Sequence, residues 1–255
     1  IAILTNNFAP CNGRFPTLIS ILTMFFLGSA AGLTQSLQSA LLLTLTILLG
    51  LGMTFLVSRL LSATVLNGVP SSFTLELPPY RRPQLGKVLV RSVFDRTLFV
   101  LGRSITVAAP AGILLWVMAN VGVQGQSLLA WASGFLDPLG RFMGLDGVIL
   151  IAFLLGFPAN EIVIPIIIMA YMANGSLIEM SSLSAMKDLF LAQGWTLTTA
   201  VCTLIFVLFH WPCSTTCLTI YKETKSVKWT AAAILIPTIC GVVCCSLAAF
   251  ILRLF

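Results

Sequence analysis

The chain has 255 residues, of which 58% are hydrophobic and only 9% charged, and its mean hydropathy is +1.03. Soluble domains carry about 25% charged residues, so the composition excludes a soluble domain and indicates an integral membrane protein. The formal net charge of +6 does not indicate a nucleic-acid partner, because the basic residues fall between apolar runs, as the positive-inside rule describes.

Apolar runs long enough to cross a bilayer, which takes about 20 residues, follow one another along the chain. They span residues 17–33, 36–61, 97–121, 147–172, 195–221 and 229–254. This pattern predicts an all-α, polytopic transmembrane helix bundle. Pro10-Cys11-Asn12 precedes the first run, and Pro212-Cys213-Ser214 lies inside the fifth. Proline removes a helix N–H, so both motifs predict broken helices, which are typical of binding sites in transporters.

These features divide the chain into five predicted regions. They are a first gate region at 1–61, with the PCNGRFP motif and a helical hairpin; a cytoplasmic loop with an interfacial helix at 62–96; core spans with a break at GFPANE at 97–172; an interfacial or re-entrant segment at 173–194; and a second gate region with the HWPCSTT motif and the last span at 195–255. The chain starts inside an apolar run, and we interpret it as the C-terminal piece of a longer protein.

The predicted topology contains a conflict. If every run crosses the membrane, the basic loop at 62–96 and the lysine-containing loop at 222–228 lie on opposite sides. The conflict disappears if one run does not cross fully or if a semi-polar segment re-enters the membrane. The run at 147–172, which contains Pro158, Pro165 and the polar pair Asn160-Glu161, is the best candidate for an incomplete crossing.

Four residues in these breaks are candidates for ion chemistry. Glu161 lies near the middle of an apolar run, where a charge costs about 2.5–3.5 kcal/mol, so it is either a neutral, hydrogen-bonded acid or part of an ion or proton site. Cys11 and Cys213 are soft ligands suited to a transition metal, the alternative being simple packing. His210, three residues before Cys213, is a candidate ligand or proton carrier, or else a histidine hydrogen-bonded within the bundle.

The remaining notable residues are interpreted as structural. Cys217 and the group Cys240, Cys244 and Cys245 are expected to pack between helices, although Cys217 follows a predicted break and adds a thiol close to it. Arg14 and Arg103 lie near the ends of runs and are expected to extend their charged groups to the membrane surface.

Three stretches resemble, in the same order, the membrane domain of the FeoB family of bacterial ferrous iron transporters. They are FAPCNGRFPTLI (residues 8–19), GFPANEIVIPIIIM (156–169) and FHWPCSTTCLTIYKETKSVKWT (209–230). The resemblance implies import of Fe²⁺ across the inner membrane, with Fe²⁺ as substrate and no permanently bound cofactor. It also implies an N-terminal GTP-binding domain, which lies outside this chain, and a small FeoA-like partner protein. Assembly into a homo-oligomer stays open.

The resemblance also suggests which residues meet the ion. Cys11 and Cys213 match the gate cysteines of the family, and Glu161 matches the carboxylate of its GFPANE motif. Our hypothesis is an ion path lined by these three residues and by freed backbone carbonyls, with secondary oxygen ligands from Asn12, Asn160 and Ser214. Two alternatives are a transporter of another solute, such as nucleosides, and an intramembrane thiol enzyme that uses Cys213 with His210. The resemblance to the FeoB family also implies that this part of the protein is not an enzyme.

Overall fold

A computed structural model describes residues 1–27, 33–64, 84–123, 125–172 and 182–254. The helices in these ranges are α1 (Ala2–Thr5), α2 (Phe15–Phe26), α3 (Leu33–Thr64), α4 (Leu85–Arg91), α5 (Phe99–Asn120), α6 (Leu128–Phe142), α7 (Gly147–Leu155), α8 (Val163–Met172), α9 (Leu183–Ala192), α10 (Leu197–Phe209), α11 (Ser214–Thr224) and α12 (Val227–Arg253). A minimal hairpin pairs β1 (Gly122–Val123) with β2 (Gln126–Ser127). The predicted helical membrane bundle is confirmed.

Several helices are long and apolar enough to cross a membrane. Within the described ranges these are Ser36–Thr64, Leu197–Thr224 and Val227–Arg253, and the pair α6 and α7, bent by 111°, makes a fourth if it counts as one span. The helix found in the predicted run 17–33 is α2. It has 12 residues and a length of about 18 Å, which is shorter than the predicted span. Residues 28–32 of that run lie outside the described part.

The outer helices of the bundle present apolar side chains outward. Leucines at successive turns of α3 are exposed, among them Leu37, Leu41, Leu45 and Leu48, and α12 exposes an equivalent row. Such faces are stable in lipid, which is as apolar as leucine itself. In contrast, α7, α8 and α10 are largely buried and form the centre of the bundle.

The run at 147–172 does not form one continuous helix. Its first helix, α7, ends at Leu155, and α8 begins at Val163 after a short 3₁₀ turn, Asn160–Ile162. The Tyr171 hydroxyl, near the end of α8, donates to the carboxylate of Asp146, which caps the start of α7. Because the start of α7 touches the end of α8, the two helices are antiparallel and form a hairpin. GFPANE is the tip of this hairpin.

Two other predicted regions are described only in part. The helix α4 lies where an interfacial helix was predicted, and its side chains from Gly86 to Arg91 are exposed; a π-helical stretch, Ser92–Leu98, joins it to α5. The preceding residues 65–83 lie outside the described part, as do residues 173–181 of the predicted interfacial segment. In that segment α9 packs inward, since its Phe190 is buried and stacks on Trp195 with ring centroids 4.5 Å apart.

Candidate functional site

The three interrupted segments meet at one place inside the bundle. The first break lies between the 3₁₀ turn Asn6–Phe8 and α2, the second between α10 and α11, and the third at the hairpin tip. The rings of Phe8 and Phe209, which precede the first two breaks, are in edge-to-face contact with centroids 5.7 Å apart. The Ser214 amide donates to the Phe157 carbonyl at 2.9 Å, which ties the second break to the hairpin tip.

Arg14 holds the first two breaks together. Its side chain is 1% exposed, so the expectation that it extends to the membrane surface is wrong. One terminal nitrogen, Nη1, donates to the backbone carbonyls of Asn7 at 2.6 Å and Leu208 at 3.0 Å. The other, Nη2, donates to Asn7 Oδ1 at 3.1 Å and to the His210 carbonyl at 3.2 Å. A planar guanidinium with five N–H donors can bridge the two chains in this way.

The proline break explains why Leu208 needs this partner. In a continuous helix the Leu208 carbonyl would accept from the N–H of residue 212, but Pro212 has none. The Pro212 carbonyl in turn accepts from the thiol of buried Cys217 at 3.6 Å, so Cys217 supports the break and does not line the cleft. The predicted freed carbonyls therefore exist, but several of them accept hydrogen bonds from protein groups.

A cleft of about 250 Å³ opens where the breaks meet. It is lined by Ile3, Asn6, Asn7, Ala9, Cys11, Asn160, Cys213, Thr216, Thr219, Ile220 and Glu223. The structure thus brings together three of the predicted site residues, one from each break: Cys11, Asn160 and Cys213. The Asn160 side-chain amide lies 4.0 Å from Cys11 Sγ, and Asn160 is buried while Cys11 is exposed to the cleft.

Cys213 occupies a position that favours a negative charge on sulfur. It is the N-cap residue of α11, and the N-terminus of a helix stabilises anions. Its Sγ also lies 3.1 Å from Thr215 Oγ1 and 3.2 Å from Thr216 Oγ1, whose hydroxyls can donate to a thiolate. The guanidinium of Arg14 interacts electrostatically with both Cys11 and Cys213. A thiolate, the form that binds metal, is therefore well supported here.

One face of α11 continues the cleft away from Cys213. This face is lined by Thr216, Thr219 and Glu223 at helical spacing. It ends next to the lysine-containing loop at 222–228. Sequence reasoning missed Glu223 because it sits among lysines at the end of a run, which resembles an ordinary solvated loop. The spacing of Thr216, Thr219 and Glu223, which puts all three on one helix face, was the available signal.

The other predicted ligands lie outside the cleft. Glu161 follows Asn160 on the hairpin tip, and its side chain is exposed and does not line the cleft. Asn12 is also exposed and does not line the cleft. Ser214 is buried, and its hydroxyl donates to the Pro158 carbonyl at 3.5 Å. We expected Ser214 to supply oxygen to an ion, but its structural contact is with the hairpin tip.

His210 is buried behind Asn160. Its side chain is 1% exposed, with Nδ1 2.9 Å from the Val207 carbonyl and 3.0 Å from the Phe206 carbonyl. Nε2 lies 3.4 Å from Asn160 Oδ1. Both ring nitrogens are thus occupied by groups other than Cys213, which argues against the alternative of a Cys213–His210 catalytic pair.

Two glycines let outer helices approach the breaks closely. A Cβ at Gly50 of α3 would lie 2.5 Å from the Phe8 carbonyl oxygen, and a Cβ at Gly241 of α12 would lie 2.8 Å from the Phe209 carbonyl oxygen. Only glycine permits such an approach. The two breaks are therefore each held from outside by a helix that contacts the backbone directly.

A larger cavity of about 450 Å³ lies at the other end of the hairpin. Its walls include Asp146, Tyr171 and Asp137, and Asp137 forms an ion pair with Arg141 at 2.6 Å. None of the predicted site residues lines it. Within the described residues, no three histidine, cysteine or acidic side chains group closely enough to hold a metal through those residue types alone.

A helical membrane protein in which two proline-broken helices and a re-entrant hairpin enclose a thiol-lined cleft has the architecture of a membrane transporter. Comparisons with the sequences of known protein families point to the same class of protein. The family described as "Ferrous iron transport protein B C terminus" matches residues 43–95, and the Gate family, described as "Nucleoside recognition", matches residues 101–227. Over nearly its whole length the chain is therefore similar to the C-terminal membrane portion of FeoB proteins.

Curated relatives cover nearly the whole chain. It is 29% identical over 247 residues to the Fe(2+) transporter FeoB of Staphylococcus aureus (strain MSSA476), covering 93% of this chain and 34% of the relative. The FeoB of Synechocystis sp. is 28% identical over 242 residues, covering 94% and 37%. That of Leptospira interrogans (serovar Lai) is 24% identical over 252 residues, covering 89% and 35%. The chain thus spans about a third of their length. No solved structure matches it.

Proposed function

We propose that this chain forms the membrane path of a ferrous iron transporter and that Fe²⁺ binds in the cleft between the three breaks. The observation that carries the proposal is the convergence of Cys11, Asn160 and Cys213 on one cleft from segments far apart in sequence. Two sulfur donors and an amide oxygen form a mixed ligand set that suits a borderline divalent ion such as Fe²⁺. The relatives named Fe(2+) transporter FeoB support the same substrate.

The residues of the cleft have distinct roles in this proposal. An arriving ion exchanges water for the two sulfurs, and each thiol that is still protonated releases its proton on binding. Arg14, fixed between the breaks, supplies a positive charge that favours the thiolate of Cys213. The ion then leaves along Thr216 and Thr219 toward the carboxylate of Glu223, which faces the same cleft.

We also propose that the hairpin formed by α7 and α8 does not cross the membrane, which removes the topology conflict. In this proposal α5 and the broken pair α10–α11 are the two crossings between the basic loops at 62–96 and 222–228. Both loops then lie on one side of the membrane, which the positive-inside rule assigns to the cytoplasm. We therefore propose that Glu223 faces the cytoplasmic side of a bacterial inner membrane. An N-terminal GTP-binding domain and a FeoA-like protein would act from that side.

A nucleoside is the alternative substrate, because the Gate family is described by nucleoside recognition. The residues that line the cleft favour the ion: they include two thiols and no aromatic ring. Stacking on aromatic side chains is a common way of holding a base. Uptake of Fe²⁺ in the presence of excess nucleoside separates the two substrates, since a nucleoside carried by this cleft would compete with the ion.

The proposal is tested by anaerobic Fe²⁺ uptake into proteoliposomes containing the intact protein. Cys11→Ser and Cys213→Ser are expected to lower uptake strongly at equal protein level. Cys244→Ser is the matched control, because Cys244 lies on α12 away from the cleft. Uptake that stays at the wild-type level in both cleft variants would show that the cleft is not the ion path.

A further inference from the structure

His210 combines complete burial with a defined hydrogen-bonding pattern that the proposed ion path does not use. Its Nδ1 faces two backbone carbonyls, those of Phe206 and Val207, at 3.0 and 2.9 Å. Carbonyl oxygens only accept hydrogen bonds, so Nδ1 must carry a proton. These carbonyls belong to the last turn of α10, where the Phe206 carbonyl also accepts the backbone N–H of His210 at 2.8 Å.

The surroundings favour the neutral imidazole. The ring of Phe153 lies 5.0 Å from the imidazole centroid, and the side chain has almost no contact with solvent. The guanidinium of Arg14 is bonded to the backbone carbonyl of His210 itself, which places a fixed positive charge next to the ring. A second positive charge there would be neither solvated nor paired. With its single proton on Nδ1, Nε2 is an acceptor.

The neighbour of Nε2 is the side-chain amide of Asn160, 3.4 Å away. The two ends of a carboxamide have the same shape, so hydrogen bonding decides which end faces an acceptor. The NH₂ end can donate to Nε2, whereas the oxygen cannot. In the structure Oδ1 faces Nε2 and Nδ2 lies 4.0 Å from Cys11 Sγ, which leaves two acceptors facing each other. Flipping the amide pairs the NH₂ group with Nε2 and turns the Asn160 oxygen toward Cys11.

We infer that His210 is a positioning residue that keeps the oxygen of Asn160 directed into the cleft beside Cys11. This inference rests on the proposed function of the cleft and explains why the cleft prefers Fe²⁺ to softer ions. Two thiolates alone favour soft ions, while an oxygen donor favours harder divalent ions. By fixing the amide, His210 keeps one oxygen in the ligand set and so raises the preference for Fe²⁺ over a softer ion such as Cd²⁺.

The ratio of Fe²⁺ to Cd²⁺ affinity in the purified intact protein tests this role. His210→Phe removes the acceptor and frees the amide to rotate. Loss of a residue that orients a metal ligand typically weakens binding about 10–100-fold, and we expect this loss for Fe²⁺ and a smaller one for Cd²⁺. Asn160→Asp should restore the ratio in the His210→Phe background, because a carboxylate presents oxygen at both ends. An unchanged ratio, or one that Asn160→Asp does not restore, would overturn the inference.

A second measurement does not depend on that variant. In ¹⁵N-histidine NMR of the wild-type protein, with the signal assigned by its loss in His210→Gln, Nδ1 should be protonated and Nε2 not. An Nε2-protonated or doubly protonated ring would donate to the Asn160 oxygen and overturn the inference. If instead the cleft is not the Fe²⁺ site, Cys213→Ser should leave Fe²⁺ binding intact. If Cys213→Ser abolishes binding while the His210→Phe ratio stays at the wild-type value, only the role of His210 is wrong.

Discussion

Replacing Arg14 by methionine should destabilise the protein severely, because one buried side chain joins two broken helices. Without the guanidinium, the Asn7 carbonyl, the Leu208 carbonyl and Asn7 Oδ1 lose donors at 2.6, 3.0 and 3.1 Å. The His210 carbonyl keeps one, since Asn7 Nδ2 donates to it at 2.8 Å. A buried acceptor left without a partner costs about 1–3 kcal/mol. The full cost applies to the buried Leu208 carbonyl, whereas the two Asn7 acceptors are partly exposed beside the cleft and cost less, so we expect a loss of at least about 1–3 kcal/mol.

The assay is thermal unfolding of the purified protein in detergent, followed by tryptophan fluorescence and by the fraction that stays monodisperse after heating. Arg59→Met is the matched control, because Arg59 is exposed on α3. Arg14→Lys should fall between wild type and Arg14→Met, since an ammonium offers three donors from one point and cannot span both breaks as a planar fork does.

Equal unfolding temperatures for Arg14→Met and Arg59→Met would refute this reasoning. Wild-type stability in Arg14→Lys would refute it in part, by showing that a positive charge suffices and that the geometry of the fork does not matter.

Three further substitutions test the packing and the path, and two of them have matched controls in the chain. Gly50→Ala places a Cβ against backbone and should destabilise by about 1–3 kcal/mol, whereas Gly52→Ala, with open space around it, should not; equal unfolding temperatures would contradict this packing. Glu223→Gln should lower Fe²⁺ uptake more than Glu161→Gln, because only the Glu223 carboxylate lines the cleft. A larger loss of uptake in Glu161→Gln would indicate that the ion passes along the hairpin tip. Cys217→Ala should reduce thermal stability but keep the Fe²⁺ affinity; a large loss of affinity would make Cys217 a ligand.

The sequence predicted the breaks well because their cause is local. Pro10 and Pro212 each remove a helix N–H, and the structure interrupts the helices at both positions. The interruption of the run at 147–172 was also predicted, from its prolines and from the charge of the loops on either side. That the run turns back as a hairpin depends on the contact of Tyr171 with Asp146, which joins residues far apart and leaves no local pattern.

The candidate site was predicted less completely because burial in a bundle depends on tertiary packing. Arg14 sits at the end of an apolar run, where surface exposure is the usual outcome, and only the second break, nearly two hundred residues later, provides the acceptors that bury it. Glu161 was placed near the middle of the membrane because of the apolar residues around it in sequence. The hairpin turns at that point, and its tip leaves the Glu161 side chain exposed.

The most direct test of the cleft as an iron site is X-ray absorption at the iron edge of the Fe²⁺-loaded protein, prepared without oxygen. The proposal predicts iron–sulfur scattering from both cleft thiols, which falls by about half in Cys11→Ser and in Cys213→Ser and disappears in the double variant. Cys244→Ser should keep the wild-type spectrum. A bound iron surrounded only by oxygen and nitrogen in the wild-type protein would contradict the account.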